Sequence, residues 1–480
     1  CVAVSVGRTG AAVRSASTGV RTKLTKVVPD SDFLRPPRSA PGIMTFSRPE
    51  HLSSIDAESW PNVATVPAPR WPGMKTRRAE AEFAKACDDA GLELDLEAEG
   101  GPDLKVGHDA LFERIAASGW LGFAESYMAG EWTVTSSSQL VKVLGRLLGV
   151  GYLPKAKMLG AGKSEPGELP LELVRLYAGD GLSHVGGIFS SGVPTTIRET
   201  VESYSPKAGR KEPKSHFVDV TTLSEPTRVD RDDLGDAQRR AADWLLDVTR
   251  TGAGTHLLVY PAAGMQPAMR ATKRRATVDV LTSDVDQMSH MREALVLEGA
   301  DDSIHVERIP GVVPNPKQWH GHYDAIVTVE KVEQLSASER KEYIRAVDRF
   351  LTPNGRAGIQ SIVATESMTE AGKASLQALR AYVWPGLDYP RTTEMHQLVD
   401  KNSNLRIVSE THVGTHYLES LRQQRSFFDG HLREAAAAGF DPVFRRLWTF
   451  QFALREALMT LGMIDSVQFG LAHRNRGGRR

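Results

Sequence analysis

The chain is 480 residues long, 41% hydrophobic and 25% charged, the composition of a globular protein, and its length leaves room for roughly two to three domains. Lys plus Arg (59) balances Asp plus Glu (59), so the basic excess of a dedicated nucleic-acid binder is absent and no nucleic acid is expected as a partner. The only cysteines, Cys1 and Cys87, cannot build a disulfide framework or a cysteine-rich zinc site, and a reducing cytoplasm is the expected compartment.

The opening stretch CVAVSVGRTGAAVRSASTGVRTK lacks the apolar core of a secretory signal. Its Arg-rich, acid-poor composition also fits a transit peptide, but residue 1 is not Met and Met44 opens a more protein-like run. A fragment or a misassigned start is therefore expected, with residues 1–43 mostly disordered. No run of about 18 apolar residues predicts a transmembrane helix. Residues 1–75 read as a disordered or extended segment, Pro-rich from Met44 onward. Residues 76–155 read as a small α+β domain. KTRRAEAEFAKACDDAG is a helix ending on Gly91, and LELDLEAEGGPDLKVG is a hairpin. HDALFERIAASG and LVKVLGRLLGVGYL are two more helices. Residues 156–235, rich in Gly, Pro, Ser and Lys, read as a linker. The GAGKSEPG within it keeps only the GKS of a phosphate loop and follows no strand, so a P-loop is not expected.

From residue 236 to 475 the pattern alternates. DAQRRAADWLLDVTR sets Ala237, Ala241, Trp244, Leu245 and Val248 on one helical face. The strands THLLVY, ATVDVLTS, DSIHVERI, YDAIVTVE and GRAGIQSIV follow, with helices such as SERKEYIRAVDRFL between them. Strands alternating with helices imply a doubly wound, mostly parallel sheet of the Rossmann-like kind. LRIVSETHVG and the C-terminal stretch are expected to finish the sheet with a strand and an edge strand. In such a sheet ligands bind beyond the carboxyl ends of the strands, and the turn after the first strand is the usual cofactor cradle. Here that turn holds Pro261, Ala262, Ala263, Gly264 and Met265. Pro261 fixes φ and removes a donor, and the alanines add β-carbons where a cofactor would press. A plain strand–helix turn without a ligand explains these residues better than a glycine-dependent site.

GWLGFAESYMAGEW (Gly119–Trp132) resembles the N-terminal signature of cyclopropane-fatty-acyl-phospholipid synthases, a family that includes the mycolic acid cyclopropane synthases. The resemblance continues in order through AQRRAADWLLDVT, HYDAIVTVEKVEQL, FLTPNGRAGIQSI, YVWPGLDYP, THYLESLRQQRSFF and the C-terminal GFDPVFRRLWTFQFALREALMTLGMIDSVQFGLAHR. It implies a class I methyltransferase domain preceded by a small N-terminal α+β domain. It implies S-adenosylmethionine as cofactor, and unsaturated acyl chains of phospholipids as substrates that gain a methylene or methyl carbon. Residues 156–235 then become a divergent substrate or cofactor segment.

Carried over by position, the cofactor residues are Val259, Pro261, Ala263, Met265 and Thr282. The loop, which in the family resembles V-L-E-I-G-x-G-W-G, has lost its acid and its three glycines. The cysteine segment resembling H-Y-D-x-S-N-D-F-Y…T-Y-S-C has no counterpart, and RIPGVVPNPKQW replaces the adenine-side acid. Glu333, Gln360 and Tyr417 survive at positions of the cluster that in the family binds bicarbonate, the base of methylene formation. A held anion there could stabilise a carbocation and accept its proton. The plain alternative is that Glu330 and Glu333 are polar residues at a helix start. Leu121, Phe123, Tyr127, Met128 and Trp132 are expected to pack between domains, and the apolar C-terminal helix to be core, one wall of an acyl tunnel, or both.

Three functions stay open. The first, preferred, is a catalytically impaired family member that binds phospholipid or fatty-acyl chains or partners an active lipid-modifying enzyme. The second is an active, divergent methyltransferase, and the third a plain acyl-lipid binder. The resemblance also implies peripheral contact at the inner membrane face and the possibility of a homodimer.

Overall fold

The computed structural model describes residues 45–68, 72–97, 100–164, 168–190, 197–204, 215–227, 229–230, 233–260, 265–315 and 317–474. Expectations for residues 1–43 and for Pro261 to Gly264 lie outside these.

The N-terminal part holds β1 (Thr45–Ser47) paired antiparallel with β2 (Val66–Ala68), then α1 (Pro72–Ala90) and β3 (Lys105–Val106). It continues with α2 (Ala110–Ser118), α3 (Trp120–Ala129), β4 (Trp132–Thr133) and α4 (Ser137–Gly149). The Pro-rich stretch is no loose tail from residue 45 on: Leu52, Trp60, Val63 and Val66 are buried in the core. The expected hairpin over 92–107 is not a strand pair. Lys105–Val106 pairs instead with Trp132–Thr133, and a loop closed by the Asp103 N–H donating to the Glu93 carbonyl fills the interval. The signature stretch is packing, as expected. Phe123 stacks on Trp132 at 4.5 Å, and the Trp132 and Trp120 indoles donate to the Phe123 and Tyr152 carbonyls. A Cβ on Gly122 would lie 2.0 Å from the Arg114 carbonyl oxygen, so only glycine lets α2 and α3 approach this closely.

The remaining elements are α5 (Leu171–Val174), β5 (Ile197–Tyr204), β6 (Ser215–Thr222), α6 (Leu234–Val248), β7 (His256–Val259), α7 (Gln266–Lys273), β8 (Thr277–Thr282), α8 (Val285–Glu298), β9 (Ile304–Arg308) and β10 (Tyr323–Val329). They are followed by α9 (Ala337–Phe350), β11 (Leu351–Ala364), α10 (Glu370–Ser375), α11 (Gln377–Tyr382), α12 (Thr392–Asn402), β12 (Leu405–His412), α13 (Gly414–Gly430), α14 (Leu432–Ala437), α15 (Pro442–Thr460) and β13 (Ile464–His473). Local chemistry sets their ends. Ser336 and Glu339 form a capping box at α9, and the Asp441 carboxylate with Pro442 starts α15.

Nine strands form one sheet in the order β5-β6-β12-β13-β11-β10-β7-β8-β9. β7 pairs parallel with β8 and β10, β8 with β9, and β10 with β11. The chain leaves β7 in one direction for β8 and β9 and returns to its other side with β10, so the switch point lies between β7 and β10. Alternate residues of β7 serve opposite faces: Leu257 and Val259 pack with α6, α7 and α8, and Leu258 with α9. This is the doubly wound, mostly parallel sheet expected. Two features differ. β13 is not at an edge; it lies antiparallel between β11 and β12. And residues within 156–235 contribute the hairpin β5–β6, which extends the sheet beyond β12.

The N-terminal helices and the C-terminal helices α10, α11, α13 and α15 share one apolar core. The side chains of α15 from Val443 to Met459 are nearly all buried in it, so this helix is core. Among the described residues no helix is long and apolar enough to cross a membrane.

Candidate functional site

The carboxyl ends of β10 and β11 carry a fully buried polar centre. Glu330 follows β10 directly and sits at φ 48°, a conformation rare for a residue with a side chain. Its N–H donates to the Gln360 carbonyl at 2.8 Å, which holds the turn in place. One carboxylate oxygen accepts from the Tyr417 hydroxyl of α13, and the other lies 3.2 Å from the Arg455 guanidinium of α15. Arg455 also donates to the Tyr417 oxygen, and it lies over the rings of Trp384 and Tyr417 at 5.8 and 5.6 Å. The Gln360 side chain hydrogen-bonds Glu330 and accepts from the Gln468 amide at 2.9 Å. Burial raises the Glu330 pKa, against the opposing pull of Arg455 and Tyr417. Burial alone would lower that of Arg455, but Tyr417 and Glu330 hold it above its usual value.

Glu333 stands behind this centre on a short 3-10 turn. Its oxygens accept from the Ser361 hydroxyl at 2.9 Å and the Ile362 N–H at 3.1 Å. Burial first, and the nearby Glu330 charge second, push its carboxyl up to about 7. Of the three residues singled out in the sequence, Gln360 and Tyr417 therefore meet on Glu330, while Glu333 is tied to β11. The residue at the hub is Glu330, whose position after a strand reads only as that of a polar helix start. Arg455 and Gln468, and Tyr389 beside Arg455, lie within stretches that resemble the family, but the resemblance assigns them no role. A lone arginine inside the apolar run FALREALM was the available signal for Arg455, since a buried cation needs a partner.

The expected cofactor positions lie at the carboxyl ends of β7 and β8. Val259 is buried among the core residues of its sheet face, and Met265 joins the same cluster at the start of α7. The Thr282 hydroxyl is consumed: it donates to the Gln287 side chain at 3.2 Å and accepts from the Asp284 N–H at 3.1 Å. Pro261 and Ala263 lie outside the described residues. Tyr260, immediately after β7, turns its ring into the core against Tyr343 and donates its hydroxyl to the Val312 carbonyl.

A strap of chain from Glu168 to Phe189 crosses this end of the sheet. Gln238 of α6 donates to the Ser183 and Val185 carbonyls, both at 2.9 Å, and the Gly187 N–H donates to Ser420 of α13 at 2.8 Å. A Cβ on Gly187 would fall 2.4 Å from the Ala237 backbone, so the strap lies directly on α6. Between the strap and α7–α8 remains a space of about 20 Å³, lined by Glu168, Leu182, His184, Met265, Gln287 and His290 among others. That holds about one water, whereas small-molecule sites span roughly 300–1,000 Å³. Burial raises the Glu168 pKa, with Lys331 opposing, and one Glu168 oxygen has no hydrogen-bond partner. Burial likewise lowers His184 to about 4, so it is neutral. The described residues at the expected cofactor positions are therefore core, capped, or covered by the strap.

The order of the sheet, with its antiparallel strand beside β11 and its cleft at the switch point, defines a class I methyltransferase fold. The family model of mycolic acid cyclopropane synthetase matches residues 226–469. The chain belongs to that family of S-adenosylmethionine-dependent lipid methyltransferases. It is 28% identical over 431 residues to the tuberculostearic acid methyltransferase UfaA1 of Mycobacterium tuberculosis, covering 87% of this chain and 96% of that protein. Among solved structures it resembles the cyclopropane synthase MmaA2 of Mycobacterium tuberculosis, with 20% identity, 50% of this chain, 85% of the other and a TM-score of 0.45. It also resembles the mycolic acid cyclopropane synthase CmaA1 complexed with SAH and CTAB, with 18% identity, 50% and 86% coverage and a TM-score of 0.45.

Proposed function

We propose that this chain is a non-methylating member of its family, acting as an acyl-lipid-binding or partner subunit for an active lipid-modifying enzyme. The observation that carries this reading is the strap. Only about 20 Å³ is left between Glu168–His184 and α7–α8, which supports the reading that the strap stands in a cofactor's place. The polar centre agrees with it. An anion held by the family's cluster would need an uncompensated positive or hydrogen-bonding pocket, whereas Arg455 here is already paired with Glu330 and Tyr417. The lipid side of the reading rests on family membership.

The test is calorimetry with S-adenosylmethionine and S-adenosylhomocysteine, run beside a methylation assay on oleoyl phospholipid. No heat at millimolar ligand and no methylated lipid are expected. Binding in the micromolar range, about −8 kcal/mol, would overturn the reading.

A second reading, an active but divergent acyl-chain methyltransferase, has its own support. The curated relative that matches along 96% of its length is a methyltransferase. Glu333, with a carboxyl near 7, also has the proton affinity of a general base. It requires the strap to withdraw, and micromolar cofactor binding is the result that would favour it.

A further inference from the structure

We propose that β5 is the seat of a two-fold interface with a second copy of this chain, independent of whether the cleft binds a cofactor. β5 is the outermost strand of the nine-stranded sheet on the hairpin side, and among the described residues it pairs only with β6. An open edge is a template for another strand, and proteins ordinarily blunt such edges with short strands, bulges, Lys or Pro. β9, at the opposite edge, is 5 residues long and buries Ile304 and Val306. β5 is neither short nor bulged, and its charges are Arg198, Glu199 and Glu202. It runs 8 residues in continuous register with β6, and its sequence, IRETVESY, holds neither Lys nor Pro. Every residue from Ile197 to Glu202 is exposed, Ile197 and Val201 by 59% and 46%.

The charge pattern selects the occupant. Pairing β5 antiparallel with its own copy about Thr200 sets Arg198 of each chain opposite Glu202 of the other, twice by symmetry. Within the hairpin neither charge has a counterpart directly opposite, because Arg198 faces Thr221 and Glu202 faces Phe217, with Asp219 diagonal to both. On the opposite face the same register sets Val201 of each chain across from Glu199 of the other, with the two Val201 side chains diagonal neighbours. A self-complementary patch of this kind is what an isologous dimer needs.

The test uses the full chain in sedimentation equilibrium at micromolar concentration, with circular dichroism to show that each variant is folded. A dimer is expected. Arg198→Glu and Glu202→Arg each place like charges opposite one another twice, and each should weaken the dimer at least about tenfold. The exchanged pair Arg198→Glu/Glu202→Arg should restore it. Thr200, opposed to itself, should cross-link as Thr200→Cys in a Cys1→Ser background under mild oxidation, because directly opposed residues come within disulfide reach. Thr222→Cys, on the inner strand, should not. A monomeric wild type overturns the proposal, including one whose β5 amides are protected from exchange by another segment. So does a dimer indifferent to the single charge reversals, or a Thr200→Cys variant that does not cross-link.

Discussion

The buried pair of Glu330 and Arg455 makes a demanding prediction. Their side chains are 5% and 7% exposed, and the carboxylate and guanidinium lie 3.2 Å apart. Replacing Arg455 by Met keeps the volume and removes the charge. The Glu330 carboxylate is then buried against Tyr417 and Gln360 alone. Breaking one side of such a pair costs about 3–5 kcal/mol, and the lost stacking over Trp384 and Tyr417 falls within that range. The loss must depend on pH. Burial already raises the Glu330 pKa, and without Arg455 it rises further. A folded-state pKa above the unfolded value means that the folded protein holds the extra proton. Stability is therefore highest below the unfolded carboxylate pKa, about 4.3, and falls as pH rises through the folded value. Urea unfolding of wild type and Arg455→Met at pH 5 and pH 8 measures this. The variant should lose the most at pH 8, and adding Glu330→Gln should recover much of the loss. A cost below about 1 kcal/mol, the same at both pH values, would refute the pair.

Three further outcomes are expected. Burial lowers the pKa of His412, but hydrogen bonds to Asp465 and Glu410 outweigh it and raise the group to about 9. That stability is complete below about pH 6.5 and lost as pH climbs through 9. His412→Gln should abolish this alkaline loss, of order 1–3 kcal/mol, in urea midpoints at pH 6 and pH 9.5. Gly187→Ala forces a Cβ onto the Ala237 backbone. It should cost about 1–3 kcal/mol and speed hydrogen exchange at Ser183–Phe189, and unchanged exchange would mean that the strap does not rest on α6. Finally, replacing Pro261, Ala263 and Met265 together with glycine should yield no methylated lipid, because the cysteine segment and the adenine-side acid are also absent and, on the proposed reading, the strap stands in the cofactor's place. Product from that variant would show that the loop alone silences the site.

The alternation of apolar strands from β7 to β11 was legible because each run is buried on both faces and punctuated by helices. What escaped were pairings. Nothing local in IDSVQFGLAH says that it runs antiparallel between β11 and β12, since a strand's neighbours are chosen by chain path. The hairpin hid for a different reason. IRETVESY is exposed along most of its length, so its composition matches the surrounding linker. At the site, Gln360 and Tyr417 could be placed by family motif, but Glu330 owes its role to a left-handed turn that periodicity does not encode. Arg455 comes from 125 residues further along the chain. The strap has no motif at all. Its fit depends on glycines at 186 and 187, whose absent β-carbons admit Tyr417 and α6.

The shared core of the N-terminal and C-terminal helices has a consequence for synthesis. Trp60 donates its indole proton to Asp441, 381 residues later, and Arg446 reaches back to the Met128 carbonyl. At about 5–20 residues per second, α15, which packs on α3 and α4, leaves the ribosome roughly 15 to 65 s after those helices do. Throughout that interval Phe83 and Phe123 pack on each other and on Phe112, Tyr152 and Trp132, while the faces of α3 and α4 that meet α15 lack that partner. The first helices can thus pack among themselves early, but α3 and α4 complete their core only when α15 arrives.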